Sequence, residues 1–144
     1  MAVLAAVYFV LAVGAAVMFG KSTDRLLQGP RLRALWAEGL TAEARCTAVR
    51  AEEAQDAEGG FVVHKYPTLE FRTADGRTVV FEERQSRIEP AVGEFVTVHY
   101  GAADPEGNAT TRTPSFFVLH ARAVITGVGS VFALITAVVL ALVL

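Results

Sequence analysis

Charge is missing from both ends of this chain. None of its 13 Lys and Arg or 15 Asp and Glu lies before Lys21 or after Arg122, so Ala2–Gly20 and Ala123–Leu144 are uncharged apolar runs. Cysteine is nearly absent too. Cys46 stands alone, which excludes an intramolecular disulfide and suits a reducing compartment. There is no excess of cations: the net charge is −2 with acids and bases interspersed, so no basic footprint exists for a nucleic acid. Histidine is scarce, and His64, His99, His120 and Cys46 share no CxxC or HxxxH spacing; no metal site and no cofactor are expected. The chain also lacks GxSxG, GxxxxGK[ST] and GxGxxG, so it offers neither a nucleophile elbow nor a phosphate-binding loop. No catalytic residue can be assigned, and an enzyme is not expected.

The two apolar runs are what is there. As helices rising about 1.5 Å per residue they measure roughly 28 and 33 Å, enough to cross a bilayer core of about 30 Å. A polar segment of roughly 80 residues is too small to bury two helices that are apolar all round. A cleaved signal peptide would open with a basic stretch and close on a small-x-small site; nothing basic precedes Tyr8, and Val17-Met18-Phe19-Gly20-Lys21 is a poor site. The expected fold is therefore a membrane α+β protein. Residues 1–20 form a first transmembrane helix, 21–40 a juxtamembrane segment, 41–114 a small antiparallel β domain (a curled sheet or small barrel), and 115–144 a second transmembrane helix. Lys21, Arg25, Arg31 and Arg33 follow the first run and Arg112 and Arg122 precede the second. By the positive-inside rule the segment between the spans is cytoplasmic, in a multi-pass plasma-membrane protein.

Within the juxtamembrane segment, Gly29-Pro30 opens a short helix, with Leu32, Leu35 and Trp36 on one face, and Gly39 ends it. Arg31, Arg33 and Trp36 are candidates for the headgroup region, although the same face can pack on the domain. From Thr41 the period becomes two: Ala42, Ala44, Cys46 and Ala48 alternate with Glu43, Arg45, Thr47 and Val49. Glu52–Gly60 reads as an acidic loop, followed by extended segments at 61–73, 79–84 and 95–100 and a short one near Thr110–Thr113. Asp75 and Gly76 form the structural turn between the second and third segments. A two-residue loop there would set Phe71 opposite Val80 and Leu69 opposite Glu82. A three-residue loop of Ala74, Asp75 and Gly76 sets Phe71 against Val79 and Leu69 against Phe81, leaving one face apolar. The expectation is a type I turn closed by Gly76 in the left-handed region. Glu52-Glu53 and Glu82-Glu83 are neighbouring carboxylates whose alternation along a strand predicts solvated side chains.

In the second span Gly129, Ala133, Ala137 and Ala141 recur every four residues, and Ala12, Ala16 and Gly20 repeat the spacing in the first. Such stripes allow close helix approach. They can close the two spans on each other or mediate self-association or binding of another membrane protein. Neither span has an ionisable residue away from its end, which argues against an ion pathway.

The residues Tyr66-Pro67-Thr68-Leu69-Glu70-Phe71, Thr73-Ala74-Asp75-Gly76-Arg77-Thr78-Val79-Val80-Phe81, Gly93-Glu94-Phe95-Val96-Thr97-Val98-His99-Tyr100 and Asp104-Pro105 form a further pattern. Across roughly residues 39–109 the chain resembles DUF3592, a bacterial family of membrane proteins of unknown function. Where that family places Asp-Pro soon after the Tyr of its last strand, this chain inserts Gly101-Ala102-Ala103. The resemblance implies two spans around a small β domain and supplies no catalytic or ligand residues. The functional expectation is a non-enzymatic, membrane-anchored interaction or accessory module, in contact with membrane lipids and with a protein partner. The alternative is a sensory or lipid-binding membrane domain; a membrane-associated hydrolase is the third class considered.

Overall fold

The computed structural model describes residues 2–85 and 87–143. They form three helices and five strands: α1 Ala2–Leu26, α2 Gly29–Glu38, β1 Thr41–Gln55, β2 Phe61–Arg72, β3 Thr78–Glu82, β4 Phe95–Tyr100, β5 Ala109–Thr110 and α3 Phe116–Val143. Two compact units result, one from Met1–Arg33 with Pro114–Leu144 and the other from Ala34–Thr113.

In the helical unit, α1 and α3 are long and apolar enough to cross a membrane. α1 continues past the expected boundary at Gly20, because nothing in Lys21–Leu26 breaks a helix; it stops where Gln28 turns into the left-handed region at φ 56°. Ser115 caps α3, its Oγ accepting the Val118 N–H at 3.4 Å. The small-residue stripe lies partly between these helices. A Cβ on Gly129 would come within 2.6 Å of Ala16 Cβ, and one on Gly20 within 3.0 Å of Thr126 Oγ1. Residues 16 and 20 thus face 129 and 126 in reverse order, so the helices run antiparallel. Ala133 is buried, Ala137 half-buried and Ala141 exposed.

The other unit is a curled antiparallel sheet of strand order β3-β2-β1-β4-β5. β2 and β3 pair Phe71 with Val79 and Leu69 with Phe81, the register a three-residue loop requires, and Gly76 sits at φ 87°. The apolar face gathers Ala44, Cys46, Leu69, Phe71, Val79, Val98, Tyr100 and Ala109 into one core. Curling brings together groups that the strand order sets far apart. Tyr100 of β4 packs on Phe71 of β2 at 5.2 Å between ring centres, and its hydroxyl accepts the Ala74 N–H at 2.9 Å. Glu83, just after β3, reaches the opposite edge. Its Oε2 accepts the Thr111 N–H at 2.8 Å and the hydroxyls of Thr110 and Thr111 at 3.1 and 3.3 Å. This carboxylate is buried, contrary to the solvated side chain that strand alternation predicts: β3 ends at Glu82, and the chain turns there.

Two further expectations are corrected. Ala48 does not continue the inward row of Ala44 and Cys46, because a bulge between Cys46 and Ala48 shifts the register and reverses the facing beyond it. The acidic stretch is not a loop from Glu52. β1 runs on to Gln55, pairing Glu52 with His64 and Gln55 with Phe61. Only 56–60 turns back, held by Asp56 Oδ1, which accepts the N–H groups of Glu58 and Gly60 at 3.0 and 2.6 Å.

The outer strands are shorter than the central pair. β4 pairs with β1 only over 41–45, and β3 with β2 only over 68–72. Pro67 has no N–H to continue the β2–β3 ladder, and its carbonyl accepts the last bond, from Glu83 N–H at 2.9 Å. Beyond these points β1 and β2 extend as a two-stranded arm of roughly 20 Å, at about 3.3 Å per residue.

Candidate functional site

Two places in the molecule gather charged side chains, one in each unit.

In the helical unit, Asp24 near the end of α1 meets Arg33 of α2. The guanidinium donates from Nη1 to Oδ1 at 2.6 Å and from Nη2 to Oδ2 at 2.9 Å, and Nη1 also reaches the Val118 carbonyl at 3.2 Å. The pair is forked, which fixes orientation as well as charge. Asp24 is buried while Arg33 keeps about a third of its side chain exposed. Gly29 makes the approach possible: a Cβ there would run into the Asp24 carboxylate and lie 2.7 Å from Arg33 Nη1. Beside this pair opens a cavity of about 560 Å³ lined by Arg33, Leu119, His120, Arg122, Ala123, Thr126 and Gly127. His120 stacks on Phe116 at 4.6 Å and its Nδ1 lies 3.1 Å from that residue's carbonyl oxygen. With Arg33 already paired to Asp24, Arg122 beside the His120 imidazole and an apolar wall supplies the charge that would suit an amphipathic anion.

In the β unit the arm carries a charge cluster on one face. Arg50 is bidentate on Glu82, with Nε and Nη2 each at 3.0 Å, and its Nη1 reaches Glu52 at 2.9 Å. Its guanidinium lies 4.7 Å over the Tyr66 ring. The hydrogen bonds from Arg50, and then its charge, hold the Glu82 carboxyl below the ordinary range. Farther out, Phe61, Val62 and Val63 expose apolar side chains near the tip.

The residues singled out from sequence are dispersed. Arg33 enters the ion pair with Asp24. Trp36 donates its indole N–H to the Arg112 carbonyl at 3.0 Å, and Arg31 bonds Gln28 Oε1 at 2.9 Å on the surface. Asp75 accepts from the Thr73 hydroxyl, the largest cause of its lowered pKa, and from Arg77 Nε at 2.8 Å. Cys46 is fully buried, its thiol directed at the carbonyls of Ala48 and Pro90. The three imidazoles sit on β2, β4 and α3, and among the described residues no three His, Cys, Asp or Glu converge as metal ligands would. Sequence reasoning passed over Asp24, although a lone acid at the end of an apolar run is a signal in itself. It also passed over Arg50, whose partner Glu82 is 32 positions away.

No family model, curated protein or solved structure matches this chain.

Proposed function

We propose that this chain is a two-span plasma-membrane protein whose cytoplasmic β domain is an interaction module rather than an enzyme, and that it belongs with the bacterial DUF3592 proteins it resembles. The observation carrying this reading is the outer surface of α1 and α3. Val3, Leu4, Val10, Leu11 and Phe19 on α1, and Val131, Phe132, Leu134, Ile135 and Leu142 on α3, all expose more than half of their surface. Soluble proteins rarely leave apolar patches of this size in water, and helices that satisfy their own backbone are the form a chain takes in lipid. The cations that follow the first apolar run and precede the second support the cytoplasmic orientation. What supports a binding rather than a catalytic role is the dispersal of the imidazoles, the burial of the only thiol and an arm projecting unpaired strand edges.

The cationic cavity favours a second reading, lipid binding: Arg33, Arg122 and His120 above apolar walls fit an anionic headgroup and the start of its acyl chains. Crosslinking of the full-length chain in native membranes, followed by mild detergent purification and mass spectrometry, separates the two. A stoichiometric crosslinked protein, retained when Arg122 is changed to Gln, supports the module. A co-purifying anionic phospholipid lost in Arg122→Gln, with no crosslinked protein, supports the lipid-binding domain instead.

A further inference from the structure

Among the described residues no strand pairs with the outer edge of β1 along the arm, where Pro90 and Ala91 line a pocket with Val49 at its base. The last bonds on that side are Cys46 N–H to the Glu94 carbonyl and Gly93 N–H to the Cys46 carbonyl, both 2.8 Å. From Ala48 to Gln55 the only strand beside β1 among the described residues is β2. An exposed strand edge is a template for another strand. Which backbone groups face that edge follows from the ladder. The Pro67 carbonyl bonds toward β3, so Thr68 and then Tyr66, His64 and Val62 direct theirs toward β1. Their partners Ala48, Arg50, Glu52 and Ala54 therefore bond inward, while Val49, Ala51, Glu53 and Gln55 present N–H and C=O outward.

We propose that this edge pairs with the same edge of a second copy of the chain, antiparallel, about a two-fold axis at Ala51. The proposal deepens the reading of the β domain as an interaction module by naming its partner, and does not depend on where the helices reside. Charge selects the register. The axis of a two-fold antiparallel pairing can pass through an outward-bonding residue or through an inward-bonding one, since both keep outward-bonding residues opposite one another. Centred on Arg50 or Glu52, it would set that charge against its own copy; centred on Ala48 it would run past the bulge, and centred on Ala54 it would span only the last residues before the turn. Centred on Val49, it would run the second strand past the bulge to Cys46, whose outward groups Gly93 and Glu94 already occupy. Centred on Glu53, it would place that carboxylate against its own copy. Centred on Ala51, it sets Arg50 opposite the neighbour's Glu52 and Glu52 opposite the neighbour's Arg50, two opposite-charge pairs on one face. It also sets Ala48 opposite Ala54 and Val49 opposite Glu53, all within the free edge. Arg50 keeps its fork on Glu82, while Nη1, now on Glu52 of its own chain, takes the neighbour's Glu52. The outcome is a closed, isologous four-stranded ribbon, β2-β1-β1-β2, in place of an open edge.

The test uses the full chain in detergent micelles, with protein mass read by light scattering after correction for bound detergent. The wild type is expected to be dimeric. Arg50→Glu and Glu52→Arg, each alone, set like charges across the axis and should weaken self-association about tenfold or more. Mixed one to one, the two variants regain both opposite-charge pairs and should form a heterodimer. A structural role for Arg50 within its own chain would not restore association on mixing. Independently, Ala51→Cys in a Cys46→Ala background keeps the native charges and should form an intermolecular disulfide on oxidation, since facing Cα atoms in a bonded antiparallel pair lie about 5.5 Å apart, within disulfide reach. Ala57→Cys at the tip should not. The proposal is overturned by a monomeric wild type, by a dimer that both charge variants leave intact, or by an Ala51→Cys chain that fails to crosslink. A monomeric wild type would leave open an interaction with a different protein, so the broader functional reading would survive that result.

Discussion

Single residues fasten this sheet where strand pairing cannot. Glu83 bridges its two edges, and its Oε2 alone takes three bonds from β5 and the residue after it. Replacing it with Ala removes the acceptor that joins Thr110 and Thr111 to β3 and should cost about 1–3 kcal/mol, read from denaturant unfolding of the full chain in detergent; unchanged stability would mean the edges hold without it. His99 supplies a pH response. It is partly buried, which lowers its pKa, and its Nδ1 has no hydrogen-bond partner among the described residues. With the folded pKa depressed, the unfolded chain takes up a proton first as pH falls. The contribution of the neutral imidazole is complete above the unfolded value of about 6.5 and is lost as pH falls through the folded value. A His99→Gln chain should show a flatter melting temperature over this window than the wild type; identical profiles would assign the response elsewhere. Neither Glu83 nor His99 was legible as special in the sequence. Strand parity predicts a solvated Glu83 until one knows that β3 ends at Glu82, and the partners of His99 in the sheet, Thr41 and Thr110, lie on other strands.

At the scale of elements, short-range pattern was readable and long-range pairing was not. The β2–β3 hairpin could be deduced because the parity of Leu69, Phe71, Val79 and Phe81 and the chemistry of Asp75-Gly76 lie within thirteen residues. Gly76 at φ 87° makes that loop sensitive: Gly76→Ala should destabilise the chain by about 1 kcal/mol, and an unchanged melting temperature would contradict the strain. The arm was missed for the opposite reason. Glu52, Glu53 and Asp56 have low strand propensity, and only cross-strand pairing with 61–67 makes that stretch extended. The bulge at Thr47 likewise leaves no local mark, yet it decides which side chains beyond it face outward. The helix pair sits between these cases, its stripe visible in sequence but its occupant not. Gly129→Leu should separate α1 from α3 and lower thermal stability in detergent, since even a Cβ there meets Ala16. Ala141→Leu, at an exposed position, should leave the melt unchanged; equal effects would mean the stripe has a second partner along its whole length.

Taken whole, the chain divides its chemistry sharply: uncharged runs at 2–20 and 123–144, and between them in sequence an ionic β unit whose edges are bridged on one side and open along the arm on the other. The apolar ends were the most legible feature because they depend on composition alone, with no need to know what touches what. The Asp24–Arg33 pair and its cavity, by contrast, arise only when α1, α2 and α3 are placed in space. The account rests on lipid being the medium of α1 and α3. Its most direct test is an alkaline carbonate wash of membranes from cells producing the full-length chain, with the pellet and supernatant quantified before and after detergent. The account predicts that the chain stays in the washed pellet and is released only by detergent. Recovery of the chain in the carbonate supernatant, monodisperse without detergent, would contradict it.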